Sequence, residues 1–137
     1  MTPAPAGGEA ILIVDDNEAN LKLARVLLQS AGYVVRTAES AEQALQTLAS
    51  FRPRLILMDI QLPGTDGLEL SRRLKDDPAT RDIVILALTA YAMKGDEDRV
   101  RKAGCDGYIS KPIDTRALPE TVARHLRRPP RAAEGQP

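Results

Sequence analysis

The chain has 137 residues, of which 43% are hydrophobic and 28% charged, a balance that suits one folded domain and excludes a wholly disordered chain. Lys plus Arg total 19 and Asp plus Glu total 19, so no global basic field exists to hold nucleic acid or anionic lipid. Aromatic residues are only 3%, which leaves the core to Leu, Ile, Val and Ala, and the single cysteine, Cys105, excludes an internal disulfide and fits a reducing cytoplasm.

Residues 1–9 read as a flexible leader, with Pro3, Pro5, Gly7 and Gly8 and no basic start followed by an apolar run, so they do not read as a secretory signal. Ile11 to Val14 is an unbroken aliphatic run that ends in Asp15 and Asp16. Leu21, Ala24, Leu27, Leu28 and Ala31 then fall at helical spacing, with Gly32 as a stop. Tyr33 to Thr37 predicts a weaker strand. Ser40, followed three residues later by Gln43, predicts a capped helix with the stripe Ala41, Ala44, Leu45 and Leu48. Leu55 to Met58 is a second aliphatic run and ends in Asp59.

A third helix is expected from near Asp66 and Gly67, carrying Leu70 and Leu74. Ile83 to Leu88 is a third aliphatic run, ending in Thr89. The next helix, about Lys94 to Ala103, has a thin apolar face of Val100 and Ala103, so looser packing is expected. Tyr108 to Ser110 is a short strand ending in Lys111. Asp114 or Thr115 can cap the last helix, which carries Leu118, Val122 and Leu126. Pro119 lies four residues after Thr115 and predicts a late start or a bend. Residues 128–137 read as a frayed tail, and no apolar run approaches the ~20 residues of a membrane span.

Five strand-helix repeats imply a parallel sheet with helices on both faces. The two weak strands belong at the edges, which favours the flavodoxin-like doubly wound (βα)5 arrangement with strand order 2-1-3-4-5. Alone, each aspartate at a strand end reads as a solvated cap, and Asp15 or Asp16 could cap the first helix. With strands 1 and 3 as neighbours, however, Asp15, Asp16 and Asp59 meet in the crevice at the strands' C-terminal ends. Three carboxylates so close repel one another, and a divalent cation resolves the conflict; oxygen ligands on loops suit Mg²⁺, with Mn²⁺ as the alternative. Thr89 and Lys111 would add a hydroxyl and an ammonium on the far side of Asp59. A metal on one side and donors on the other is what the oxygens of a phosphoryl group require, with Asp59 as nucleophile and an aspartyl phosphate as product.

The wording around these residues resembles the response-regulator receiver domain of two-component signalling. The matching stretches are Ile13-Val14-Asp15-Asp16-Asn17, Leu57-Met58-Asp59-Ile60-Gln61-Leu62-Pro63, Ala87-Leu88-Thr89-Ala90 and Tyr108-Ile109-Ser110-Lys111-Pro112. Thr89 lies 30 residues beyond Asp59 and Lys111 lies 52 beyond, offsets that look like the family's. The resemblance places a receiver domain at residues 10–127, and the stretches after Asp16 and Thr89 look especially like DivK-type single-domain regulators.

The resemblance implies roles residue by residue. Asp59 is the phosphoacceptor for phosphohistidine on a histidine kinase or histidine phosphotransfer protein. Asp15 and Asp16 hold Mg²⁺ with Asp59 and the backbone carbonyl of Gln61. Thr89 and Lys111 hold the phosphoryl group, Thr89 and Tyr108 form a switch, and the Lys111-Pro112 bond is cis. Gln61 and Tyr91 tune access of water to the acyl phosphate, with a bulky Tyr91 shielding it. The face of the fourth helix, fifth strand and fifth helix would control a downstream effector protein or kinase, and the region from Asn17 through the first helix, with the loop after Lys111, would dock the phosphodonor.

With no further domain after Leu126, the expected output is a protein contact by a cytoplasmic monomer, with dimerisation on phosphorylation left open and no nucleic-acid or membrane partner. The chain is expected to be a signalling domain that assists its own phosphotransfer and dephosphorylation, not an enzyme. An aspartyl phosphohydrolase would need a second acidic partner near the nucleophile, where Ile60-Gln61-Leu62-Pro63 stands. A flavodoxin-like binding module would need a phosphate-cradling loop after strand 1, where the chain is acidic. His125 reads as a surface residue near a helix C-terminus, Cys105 as a small core or surface residue, and the group Arg124, Arg127, Arg128 and Arg131 as a solvated helix end.

Overall fold

A computed structural model describes residues 9–62, 66–89 and 94–127, with side chains from 98 onward in the last stretch. The leader before Glu9, the tail from Arg128, and Ala90 and Tyr91 lie outside the described residues. The elements run β1 (Ala10–Val14), α1 (Glu18–Ser30), β2 (Val34–Ala38), α2 (Ala41–Leu48), β3 (Leu55–Asp59), α3 (Gly67–Asp76), β4 (Val84–Thr89), α4 (Lys94–Lys102), β5 (Gly107–Ser110) and α5 (Ala117–Leu126).

The strands pair in the order β2-β1-β3-β4-β5, and every pairing is parallel. The two polar or short runs are indeed the edges. Successive strand residues point to opposite faces. Ile11, Ile13, Leu55, Leu57, Leu86 and Leu88 accordingly pack against α1 and α5, around Leu28, Leu118 and Val122. Leu12, Val14, Ile56, Met58, Ile85 and Ala87 pack on the other face, against Ala44 of α2, Leu70 of α3 and Val100 of α4. Two-sided burial explains why β1, β3 and β4 read as unbroken aliphatic runs. The thin face expected of α4 is the one it buries, Val100 with Ala103 just beyond the helix.

The helix starts are set by side-chain caps. Ser40 Oγ accepts the Gln43 N–H at 3.1 Å, and Gln43 Oε1 accepts the Glu39 N–H at 2.9 Å, so the reciprocal bond reaches one residue further back than in a standard capping box. Asn17, and neither aspartate before it, caps α1: its side chain accepts the Asn20 N–H at 3.0 Å. The late start expected of α5 is observed. Asp114 accepts the N–H groups of Arg116 and Ala117, and regular helix begins at Ala117. Pro119 therefore falls in the first turn, where its missing N–H has no partner to lose. His125 is not a plain surface residue. Its Nδ1 meets the Thr121 carbonyl at 3.0 Å, and its ring lies against β5, where a Cβ on Gly107 would come 2.8 Å from Nε2.

Cys105 lies buried between α4 and β5, and burial pushes its thiol pKa up. The thiolate is the reactive form. The native chain should therefore react with a disulfide reagent at pH 8 at least about tenfold more slowly than the urea-unfolded chain, read from the absorbance of the released thiolate.

Candidate functional site

The parallel order delivers side chains from the ends of four strands, β1, β3, β4 and β5, to one end of the sheet. β1 and β3 are adjacent, with Val14 opposite Met58, so Asp15 and Asp59 leave the sheet side by side. The Asp15 N–H is still tied to the sheet through the Ala38 carbonyl at 3.0 Å, and the Ile60 N–H through the Leu88 carbonyl at 3.2 Å. Asp15 is 0% exposed and Asp59 2%, while Asp16 faces solvent. Ligand oxygens of Asp15, Asp16 and Asp59 all lie within 4.8 Å of one another.

Each buried carboxylate has one oxygen held by the chain after it. Asp15 Oδ1 accepts the Asn17 N–H at 2.9 Å, and Asp59 Oδ1 accepts the Gln61 N–H at 2.9 Å. The second oxygens share a single ammonium. Lys111 Nζ donates to Asp59 Oδ2 at 3.0 Å and stands 3.4 Å from Asp15 Oδ2 without hydrogen-bond geometry. Asp15 Oδ2 is thus buried, ion-paired and without a hydrogen bond.

The charges do not balance: two buried carboxylates face one ammonium. Burial raises the pKa of Asp59 above the ordinary carboxylate range. The Gln61 N–H and the Lys111 hydrogen bond pull it back, the Asp15 charge pushes it up again, and the net shift is upward. Burial works against the charge of Lys111, but the Asp59 hydrogen bond and the two carboxylates outweigh it and raise its pKa. Both shifts have one meaning: the pocket is short of positive charge. An all-oxygen donor set with an orphaned buried oxygen fits a hard divalent cation bound to Asp15, Asp16 and Asp59.

Lys111 reaches this pocket from the end of β5, its side chain extending past β4 to the end of β3. The Lys111 N–H donates to the Thr89 carbonyl at 2.8 Å, and the Lys111-Pro112 bond is cis. Thr89, next after the Leu88 that pairs with Asp59, is buried at the end of β4. Tyr108 pairs with Ala87 and Ser110 with Thr89, so Tyr108 and Thr89 share the α4 face of the sheet. The Tyr108 side is 37% exposed. Gln61 is exposed, and its backbone is held beside the Asp59 carboxylate. Of the expected site residues only Tyr91 lies outside the described residues.

Gly67 was not singled out for the site, yet it packs directly beneath it. A Cβ there would lie 2.1 Å from the Asp59 carbonyl oxygen and 2.8 Å from Ile60 Cα. The Gly67 N–H also donates to the Ile60 carbonyl at 3.2 Å, so α3 starts flush against the backbone that carries the central carboxylate. The glycine in the Asp66-Gly67 pair could have signalled this close approach as well as a helix start.

Residues 11–123 match the sequence model of the response regulator receiver domain. The chain is 48% identical over 118 residues to the polar-differentiation response regulator DivK of Brucella anthropi, covering 86% of this chain and 96% of that protein. The fold superposes on the chemotaxis response regulator CheY4 of Vibrio cholerae with a TM-score of 0.80 at 27% identity, covering 85% and 97% of the two chains. It also superposes on the receiver domain of the sensor histidine kinase PA1611 of Pseudomonas aeruginosa, solved with a magnesium ion in its active-site cleft, with a TM-score of 0.79 at 34% identity over 87% and 98%.

Replacing Gly67 by Ala should force apart α3 and the Asp59–Ile60 backbone. The expected loss is ~1–3 kcal/mol of stability, as for other overpacked sites, read as a lowered urea midpoint with an unchanged slope.

Proposed function

Because the chain belongs to the response-regulator receiver domain family and is DivK-like, we propose that it is a phosphorylation-activated switch with Asp59 as the acceptor. The observation that carries this reading is the shared ammonium: Lys111 lies 3.0 Å from Asp59 Oδ2, at the mouth of a carboxylate cluster that is short of positive charge. Asp15, Asp16, Asp59 and the Gln61 carbonyl would hold Mg²⁺, which would supply the charge that lets a phosphoryl oxygen approach three carboxylates. Mn²⁺ serves the same ligands.

The chain's own groups do the rest. The Gln61 N–H fixes one oxygen of Asp59 and so orients the carboxylate. An Asp59 oxygen forms a bond to phosphorus as the bond to the histidine nitrogen of the donor breaks, and that nitrogen keeps the electron pair. Lys111 exchanges its bond to Asp59 Oδ2 for one to a phosphoryl oxygen, and the Thr89 hydroxyl donates to another. Movement of Thr89 toward the phosphoryl group frees space on the α4 face, and Tyr108 on the same face turns inward, reshaping the surface of α4, β5 and α5. Gln61 and Tyr91 set how readily water reaches the acyl phosphate.

The donor is a histidine kinase or histidine phosphotransfer protein. It docks on α1, where Leu23 and Val26 are exposed and a groove of about 510 Å³ is lined by Glu18, Lys22, Arg25 and Glu39. The reshaped face acts on an effector protein or kinase. The chain assists its own phosphotransfer and dephosphorylation and turns over no separate substrate, and it works in the cytoplasm. Among the described residues no helix is long and apolar enough to cross a membrane.

Asp59→Asn should abolish phosphorylation by acetyl phosphate, seen by intact mass; retained label would place the acceptor elsewhere. The same substitution removes one of two crowded carboxylates, so the metal-free protein should melt higher than wild type. Mg²⁺ should stabilise the fold at pH 7 by ~2.7 kcal/mol at a hundredfold excess over its dissociation constant, read as a raised melting temperature. Protons compete for the same oxygens, and the folded Asp59 pKa lies above its unfolded value. The Mg²⁺ effect is therefore present at neutral pH and shrinks as pH falls through the Asp59 pKa, readable in scanning fluorimetry at stepped pH.

A further inference from the structure

A second buried lysine–aspartate pair lies at the opposite end of the sheet. Lys75, in the last turn of α3, directs Nζ to the Ile83 carbonyl at 2.7 Å, Asp106 Oδ2 at 2.9 Å and the Arg81 carbonyl at 3.2 Å. These three oxygens use all three of its donors. The two side chains are 13% and 5% exposed, unlike the loose ion pairs of a protein surface. Asp106 Oδ2 also accepts the Ile85 N–H at 2.8 Å, and the Asp106 N–H donates to the Ile85 carbonyl at 2.8 Å. Gly104, at φ +89°, leaves room for the lysine stem: a Cβ there would stand 3.0 Å from Lys75 Cγ.

Only the four residues of β5 separate Asp106 from Lys111. β5 is an edge strand paired with β4 alone. It is therefore pinned at both ends by lysine–aspartate pairs, Lys75 with Asp106 at one and Lys111 with Asp59 at the other. Both pairs tie β5 to the same β3–α3 unit, since Asp59 ends β3 and Lys75 lies in the last turn of α3. An extended chain has almost no slack at ~3.3 Å per residue, so a shift at Asp106 is passed along the strand to Tyr108 and Lys111.

We propose that Lys75 and Asp106 are positioning residues for phosphotransfer: their buried pair fixes the far end of β5 and so sets where Lys111 and Tyr108 stand relative to Asp59. The inference rests on the reading of Asp59 as the acceptor. It makes the pair a fixed end against which the strand's other end moves when Lys111 changes partners.

The test uses the full chain with acetyl phosphate and Mg²⁺, following Asp59 phosphorylation by intact mass and measuring the maximal rate separately from the half-saturating Mg²⁺ concentration. A misplacement of ~1 Å costs up to ~100-fold, so Lys75→Met and Asp106→Asn should lower the maximal rate about fivefold or more. Half-saturation by Mg²⁺ should change much less than the rate, because Asp15, Asp16 and Asp59 do not sit on β5 and only the neighbouring Lys111 charge is shifted. Lys75→Arg, which can donate to the same oxygens, should recover most of the rate. Variants that are folded by circular dichroism at the assay temperature, with maximal rates within about twofold of wild type, overturn the positioning role. Equal losses of rate and Mg²⁺ affinity, the mark of general loosening, overturn it too. Should Lys75→Met fail to fold, Asp106→Asn, which keeps an oxygen for the Ile85 N–H, carries the test. A wild type that takes no phosphoryl group overturns the Asp59 reading itself, whereas a labelled wild type with unaffected variants overturns only the positioning role.

Discussion

The shortage of positive charge around Lys111 organises this end of the molecule. Two carboxylates are buried beside each other, and one ammonium lies within reach of both. Such a pocket is costly: a buried carboxylate without a full complement of partners loses more solvation than one shared lysine returns. The raised pKa of Asp59 is the direct sign of that cost. The rest of the chain contains what is needed to bear it. β1, β3 and β4 are buried on both faces by aliphatic side chains, and their backbone bonds hold Asp15 and Ile60 in register at the strand ends. A firmly packed sheet can keep an uncomfortable set of side chains together, where a loop would let them swing apart into water.

The same reasoning explains what could be read without coordinates. The strand order followed from the contrast between runs such as Ile83 to Leu88 and the weaker Tyr33 to Thr37, because two-sided burial removes the polar alternation that an edge strand retains. Once that order is set, Asp15 and Asp59 must be neighbours, and Lys111 must approach from the edge. Local chemistry read less well where two groups compete for one task. Asp15, Asp16 and Asn17 can all cap a helix, and only the structure shows that Asn17 does so while Asp15 turns inward. Turned inward, Asp15 keeps its Oδ2 buried beside the Lys111 ammonium without a hydrogen bond.

Gly67 and the Lys75–Asp106 pair were less legible, for different reasons. Gly67 sits where a helix start was expected, and its more demanding role, the close approach to the Asp59 carbonyl, depends on the distance between two elements that sequence does not carry. Lys75 and Asp106 are 31 residues apart, on a helix and in a turn, and each alone looks like an ordinary surface charge. No periodicity marks a lysine whose stem is buried against a glycine and whose tip meets backbone carbonyls. His125 shows the converse: its place near a helix C-terminus suggested solvent, but the missing side chain at Gly107 opens a seat for its ring on β5.

These features together give β5 a mechanical character that its four residues would not suggest. Among the described residues its outer edge has no strand partner, so its position depends on β4 and on what grips its ends. At one end Asp106 is bonded to Ile85 through both its backbone and its side chain, and Lys75 adds a third tie. At the other end the Lys111 backbone is bonded to Thr89, but the grip on its ammonium is electrostatic and shared between two carboxylates, so it can be redistributed without unfolding anything. A negative group added at Asp59 changes the attraction at that end alone. In the proposed switch the strand would respond about a fixed base: Tyr108 and Ser110 are the half that faces solvent, while Ile109 is packed against the α1 and α5 core. The alternation of a β-strand thus separates what must stay still from what is free to move.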